Sequence, residues 1–219
     1  MTEPNNGRES PREQVRRRIS GLYGIACADA SGGDPLRLVH ALLSGGCRLV
    51  QVRCKGWSDE DLLRVALEAV RACRPLGATL IVNDRAEVAA EADADGVHVG
   101  QLDADGPAVR RALGPHRILG RSTHSPEALI EARAHADYLA FGPVFPTERL
   151  SWAKPLQGLE QLAAARRHAG DHPLVAIGGI DTARLDAVRA AGADSWAVIG
   201  AVADAPDPVA ATAALLGPS

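Results

Sequence analysis

Short apolar runs rich in Val and Ile alternate along the chain with longer Ala/Leu/Arg/Glu stretches at helical spacing. The short runs are LYGIACA (22–28), CRLVQVRC (47–54), TLIVND (79–84), GVHVG (96–100), RILGRST (117–123), YLAFGPV (138–144), PLVAIGG (173–179) and SWAVIGA (195–201). Each reads as a strand. The intervening segments read as helices, several opened by a cap signal at Ser58, Ser125 or Asp181 and several closed on Gly. Eight strand-then-helix units predict a parallel sheet closed into a single-domain (β/α)8 TIM barrel, an α/β fold, over residues 19–219. An open doubly wound sheet is the alternative. It usually carries GxGxxG after its first strand, where this chain reads DASGGD. Residues 1–18 hold Pro, Gly, Asn and Glu and few groups to bury, which predicts a flexible polar N-terminal tail.

Composition narrows the partners. With 46% hydrophobic and 23% charged residues, the 219-residue chain reads as a soluble globular protein. Twenty-four cations against 27 anions give −3, so neither nucleic acid nor an anionic membrane is an expected partner. Aromatics at 3% leave no stacking platform for bases. No apolar run has the length of a membrane span, and the polar start MTEPNNGRESPREQVRRR lacks a signal-peptide core. Cys27, Cys47, Cys54 and Cys73 form no CxxC pair and read as reduced thiols, the first three in packing positions and the last on a helix. The expected location is the cytoplasm. Barrel helices can pair in several ways, a homo-oligomer among them.

In a barrel of this kind, chemistry sits at the C-terminal ends of the strands. Alternation along the second run puts Val50, Val52 and Cys54 on one face and Gln51, Arg53 and Lys55 on the other. A strand-interior Arg needs a partner, and an amide with two cations makes an anion site. Asn83 and Asp84 end the third run, where Asp84 either binds a metal or caps the next helix. Asp103 follows the fourth run, and two carboxylates beside an anion site fit Mg²⁺ carried on a substrate phosphate. His98 reads as a core or orienting histidine. Ser122 and His124 share a face at the end of the fifth run, as candidates for phosphate contact and proton transfer, while Ser125 reads as a helix cap. A long connection follows Thr147, with Arg149 and Lys154 as its cations. Gly178, Gly179, Ile199 and Gly200 end the last two strands, where backbone N–H groups can approach a phosphate. These features describe a barrel enzyme with two anion sites acting on small phosphorylated substrates.

The motifs QVRCK (51–55), VNDR (82–85), GVHVGQLD (96–103), GRSTHS (120–125), DYLAFGPVFPT (137–147), VAIGGI (175–180) and GADSWAVIGA (192–201), in this order, resemble the thiamine phosphate synthase family. The resemblance runs from about residue 22 to the end. It implies a transferase joining hydroxymethylpyrimidine diphosphate to thiazole phosphate, with Mg²⁺ and release of pyrophosphate. Carried over by motif, Gln51, Arg53 and Lys55 match the diphosphate set, and Asp84 and Asp103 the Mg²⁺ ligands. Asn83 and Ser122 match substrate contacts, Thr147 a phosphate-side contact, and Gly179 a backbone contact to the thiazole phosphate. This chain departs from the family pattern in three places. The Thr-x-Thr-Lys after strand six is Thr147-Glu148-Arg149-Leu150, the Ser after Ile on strand eight is Gly200, and the Thr-Asp after the first strand is missing from IACADAS. The related thiazole tautomerases share the barrel and a His matched by His124, which would be their acid/base. A non-catalytic binder of a pathway phosphate is the third alternative.

Overall fold

The computed structural model describes residues 10–100, 106–147 and 155–217. All eight expected strands form: β1 (Gly21–Cys27), β2 (Leu49–Arg53), β3 (Thr79–Asn83), β4 (Gly96–Val99), β5 (Ile118–Thr123), β6 (Tyr138–Phe141), β7 (Leu174–Ile177) and β8 (Ser195–Val198). They close in chain order into a single barrel, every neighbour parallel and β8 pairing back on β1. A helix precedes the first strand, α1 (Pro11–Arg18). The crossovers carry α2 (Pro35–Ser44), α3 (Asp59–Cys73), α4 (Ala86–Glu91), α5 (Gly106–Leu113), α6 (Pro126–Ala132), α7 (Gly158–Ala169) and α8 (Leu185–Ala190). Two helices, α9 (Gly200–Ala203) and α10 (Pro208–Leu215), follow β8.

Period-2 alternation sorts the strands' side chains into two layers. Tyr23, Ile25, Leu49, Ile81, Ile118 and Tyr138 fill the barrel interior. Leu22, Val50, Val52, Leu80, Val82 and Leu119 face outward under the helices, packing with Leu38, Leu42 and Leu62. The expected caps are in place. Ser58 Oγ accepts from Asp61 N–H (3.1 Å), Ser125 Oγ from Ala128 N–H (3.2 Å) and Asp181 Oδ1 from Arg184 N–H (3.2 Å).

The stretch expected to be a tail is structured from Ser10 onward. Ser10 and Glu13 form a capping box, with Ser10 N–H donating to Glu13 Oε2 (2.7 Å) and Glu13 N–H to Ser10 Oγ (3.2 Å). The helix α1 lies across the N-terminal end of the barrel. Val15 and the fully buried Ile19 join the interior cluster there. Arg18 donates to Thr79 Oγ1 (3.1 Å) and pairs with Asp95. Val15, Ile19 and Arg18 thus help hold a segment whose composition alone reads as solvated.

Three aspartates organise that end of the barrel. Asp95, Asp137 and Asp194 stand just before β4, β6 and β8, each after an Ala, in the repeat Ala-Asp-strand. Each turns its Oδ2 to a backbone N–H on the preceding strand, Leu80, Leu119 and Leu174, all at 2.8 Å. Each also meets a guanidinium: Asp95 that of Arg18, Asp137 that of Arg110 (2.6 Å) and Asp194 that of Arg166 (2.6 Å). The corresponding place before β2 holds Arg48, which donates to the carbonyls of Leu43 and Cys47 instead.

The carboxylate of Asp137 satisfies a strand-end N–H that is shut off from water, since Leu119 is fully buried. Asp137→Ala orphans that donor and is expected to cost about 2 kcal/mol, a drop of roughly 4–8 °C in Tm for a chain this size. Thermal unfolding checks this. Glu68→Ala, which removes an exposed carboxylate paired with Arg71 within α3, should leave Tm unchanged within error.

Candidate active site

The inward face of β2 runs Leu49, Gln51, Arg53 from the base to the mouth. Gln51 is buried and Arg53 half-buried. The Arg53 Nη1 donates to Cys27 Sγ at 3.4 Å, a weak acceptor across the β1–β2 pairing. Among the described residues no carboxylate pairs with Arg53, whereas Arg18, Arg110, Arg117 and Arg166 at the other end are each ion-paired. A half-buried cation with no carboxylate partner among the described residues is a place for an anion. Lys55 follows in the exposed turn beyond the strand.

The next strand ends in a polar pair. Asn83 is half-buried and in register with His98 of β4. Asp84 has φ 65°, a left-handed conformation that costs a residue with a Cβ about 1–2 kcal/mol. Its N–H donates to His98 O (2.8 Å), which fixes the turn. The N-cap of α4 is Arg85, without a side-chain cap bond, and Arg85 Nε pairs with Asp59 Oδ1 (2.8 Å). The Asp84 carboxylate is therefore carried on a strained turn at a strand's C-terminal end, the kind of position where functional groups cluster. Asp103, its expected companion, lies outside the described residues, as do Arg149, Leu150 and Lys154. Among the described residues, no cluster of three or more His, Cys, Asp or Glu could hold a metal.

Below this rim a continuous chain of polar side chains crosses the barrel. Gln51 Nε2 donates to Tyr23 Oη (2.7 Å), and Tyr23 Oη lies 2.9 Å from Tyr138 Oη. Tyr138 Oη lies 2.9 Å from His98 Nδ1, and His98 Nε2 lies 2.9 Å from Ser122 Oγ. The two phenol rings meet edge to face, and the imidazole stacks on Tyr138. Burial drives both phenols above the ordinary tyrosine range, so both keep their protons. The Tyr138 ring fits because β5 carries Gly120 opposite it. A Cβ there would sit 2.0 Å from Tyr138 Cζ.

The far side of the mouth is built from backbone. His124 Nδ1 donates to Gly142 O (2.7 Å), fixing the half-buried imidazole against the end of β6. After Pro143, the loop runs alongside β7, with Val144 N–H on Ile177 O (2.9 Å) and Phe145 N–H on Gly178 O (3.0 Å). Gly178 and Gly179 have φ 103° and 61°. A Cβ on Gly179 would meet Pro146 O at 2.4 Å, so the glycines serve both the turn and the close approach of the loop. Arg184 donates to Gly179 O and stacks 4.8 Å above Phe145. Thr147, Gly178, Gly179, Ile199, Gly200 and Asp204 line a cavity of about 470 Å³ between the ends of β7 and β8.

Sequence reading placed most of these groups and missed several. Tyr23 and Tyr138 were unmarked, though alternation puts both inside. His98, read as a core or orienting histidine, has both ring nitrogens hydrogen-bonded. Cys27 is a packing residue that also touches Arg53. Asp204 and Arg184, on helical segments, carried no signal. Cys54 and Cys73 are buried thiols pushed up to about 12, as packing cysteines are.

The sequence model described as thiamine monophosphate synthase matches residues 22–202. A thiamine-phosphate synthase of Geobacillus kaustophilus is 46% identical over 206 residues, 92% of each chain. One of Laribacter hongkongensis is 42% identical over 87% of this chain and 91% of its own. One of Synechococcus sp. is 42% identical over 94% of this chain, which spans only 59% of that longer protein. Among solved structures, a thiamine phosphate pyrophosphorylase of Pyrococcus furiosus superposes with TM-score 0.83 and 33% identity, covering 92% of this chain and 95% of that one. The matched stretch runs from β1 through α9 and contains the Arg53 rim, the polar chain and the glycine cavity. The chain belongs to the thiamine monophosphate synthase family.

Proposed function

We propose that this protein is a transferase that joins hydroxymethylpyrimidine diphosphate to thiazole phosphate, releasing pyrophosphate and forming thiamine phosphate. The observation that carries the reading is a barrel mouth with two dissimilar anion sites. One is a side-chain site around Arg53, which lacks a carboxylate partner among the described residues, with Asp84 held strained beside it. The other is a backbone site at Gly178, Gly179 and Gly200. A reaction between a diphosphate and a monophosphate needs both. The family membership and the names of its relatives support the same assignment.

The chemistry asks more for charge neutralisation than for a base. The bond between the pyrimidine's methylene carbon and the diphosphate oxygen breaks, and its electron pair leaves with pyrophosphate. The aminopyrimidine supports the resulting cation, and the thiazole nitrogen's lone pair closes the new carbon–nitrogen bond. Arg53, Lys55 and Gln51 bind the leaving group where charge develops, with Arg53 supplying a fork of donors. Ser122 and Asn83 contact the pyrimidine diphosphate. Thr147 and the N–H groups of Gly178, Gly179, Ile199 and Gly200 hold the thiazole phosphate. Arg149 and Lys154 supply the cation that Leu150 does not. A bound Mg²⁺ would neutralise diphosphate charge, and Asp84 with Asp103 would hold it, the small carboxylate count suited to an ion that rides on a substrate phosphate. The four free cysteines support a reducing, cytoplasmic setting.

The thiazole tautomerase reading has one observation behind it, the fixed imidazole of His124. Arg53 and Asp84 weigh against it, because a proton shift needs no diphosphate site.

Purified protein given both substrates and Mg²⁺ should form thiamine phosphate catalytically, read as fluorescent thiochrome after oxidation. Folded protein that binds thiazole phosphate but makes no product would overturn the transferase reading. Arg53→Ala should lower kcat/KM by about 100-fold or more with Tm preserved, as loss of a preorganised charge donor does. Near-parent activity in that variant would remove Arg53 from the leaving-group site. EDTA should stop turnover and Mg²⁺ restore it. His124→Ala should cost less than about 10-fold, whereas an acid/base role would cost about 100-fold or more.

A further inference from the structure

The hydrogen-bond chain through the barrel has a direction. An amide nitrogen only donates, and a protonated phenol has one proton to give. Gln51 Nε2 donates to Tyr23 Oη. The Tyr23 oxygen is fully buried, and its other hydrogen-bond partner among the described residues is Tyr138 Oη, so Tyr23 gives its proton there. Tyr138 Oη then accepts from Tyr23 and has His98 Nδ1 as its remaining partner, so it donates to that nitrogen. A ring nitrogen that accepts carries no proton. In an uncharged imidazole the proton is then on Nε2, aimed at Ser122 Oγ 2.9 Å away.

Ser122 is the end of the chain, and it is where the chain leaves the closed interior. Its side chain is half-buried, while Gln51, Tyr23, Tyr138 and His98 are buried. With its oxygen accepting from His98, the serine hydroxyl has its own proton to donate. The reverse polarity, with the Gln51 amide turned over, would make Ser122 donate to His98 and present only lone pairs to the mouth. Those two arrangements differ in what they offer an anion.

We propose that His98 is a positioning residue for the reaction. Held in its Nε2–H form by the one-way chain from Gln51 through Tyr23 and Tyr138, it donates to Ser122 and turns the serine proton toward the diphosphate. The catalytic consequence rests on the transferase reading and on Ser122 touching that substrate; the tautomer does not. Gln51 would thus serve twice, at the leaving-group site and as the group that sets the chain's polarity. Tyr138 is the best lever on it, because phenylalanine fills the same slot beside Gly120 and removes only the hydroxyl.

The test uses full-length protein with ¹⁵N-labelled histidine, examined at neutral pH by two-dimensional NMR that distinguishes the two neutral tautomers. The His98 signals are identified by their absence in His98→Gln. The expected result is the Nε2–H tautomer in the parent, lost or averaged in Tyr138→Phe. In steady-state assays Tyr138→Phe should lower kcat about 10-fold with KM for the diphosphate nearly unchanged, less than the roughly 100-fold that deleting a preorganised donor costs. His98→Gln, whose amide nitrogen can stand in for Nε2, should keep most of kcat, while His98→Leu should lose about 100-fold. A packing role alone would make the two His98 variants equally poor. An Nδ1–H tautomer in the parent, or parent kcat in Tyr138→Phe, overturns the inference. Failure of the parent to make any product would sink the transferase reading separately, and the tautomer readout, which needs no turnover, would still decide the direction of the chain.

Discussion

Two phenol hydroxyls meet 2.9 Å apart inside the barrel, and the polar half of the structure is arranged around that contact. A (β/α)8 barrel of this size has an interior just wide enough for side chains to fill, ordinarily with branched aliphatics. Here β1 and β6, separated around the closed sheet by β7 and β8, each send in a tyrosine. A buried phenol needs a partner, and the two rings use one another. That choice propagates. Tyr23 draws in Gln51, Tyr138 draws in His98, His98 draws in Ser122, and Gly120 must be glycine to let the ring through. A hydrophobic pair at the same positions would fill the space and leave the mouth of the barrel without a fixed floor.

The arginines show how one residue type serves two ends of one fold. At the base, Arg18, Arg110 and Arg166 meet aspartates whose carboxylates also hold a backbone N–H of the preceding strand. These pairs tie a helix or a loop to a strand end, and their effect is on strand register and helix docking. At the mouth, Arg53 has a thiol at 3.4 Å and, among the described residues, no carboxylate. Pairing Arg53 with an acid would favour the folded state and block an anion. The contrast follows the division of barrels into a stabilising face and a reactive one.

Much of this was legible in the sequence because a parallel barrel is a periodic object. Runs of Val and Ile located all eight strands, and period-2 alternation correctly turned Gln51 and Arg53 inward and Val50 and Val52 outward. What escaped depends on closure or on local backbone. The Tyr23–Tyr138 contact joins residues 115 apart, and neither residue's neighbours announce it. The left-handed turn at Asp84 is set by a bond to the next strand's carbonyl, so the sequence leaves capping and ligand roles equally open. The α1 helix was hidden by its own composition, although Ser10 and Glu13 have capping-box spacing, because its docking uses scattered groups, Val15, Ile19 and Arg18 among them. The Ala-Asp repeat before β4, β6 and β8 was visible all along; what it meant needed the partner strand's N–H groups.

The departures from the family pattern fall differently on the two anion sites, and the reason lies in which atoms do the binding. At the proposed thiazole-phosphate end, the donors on offer are backbone N–H groups, which every residue except proline carries. Glycine in place of serine at 200 removes one hydroxyl and leaves the N–H, at a point where the chain is turning into α9. The proposed diphosphate end relies on side-chain charge, which substitution deletes outright. Leucine in place of lysine at 150 therefore needs a compensating cation within reach, and Arg149 and Lys154 are the ones the same loop provides. A site made of backbone tolerates drift in sequence as long as the turn is kept. A site made of charges does not, which places the functional question for this chain at Arg53 and the loop after Thr147 rather than at Gly200.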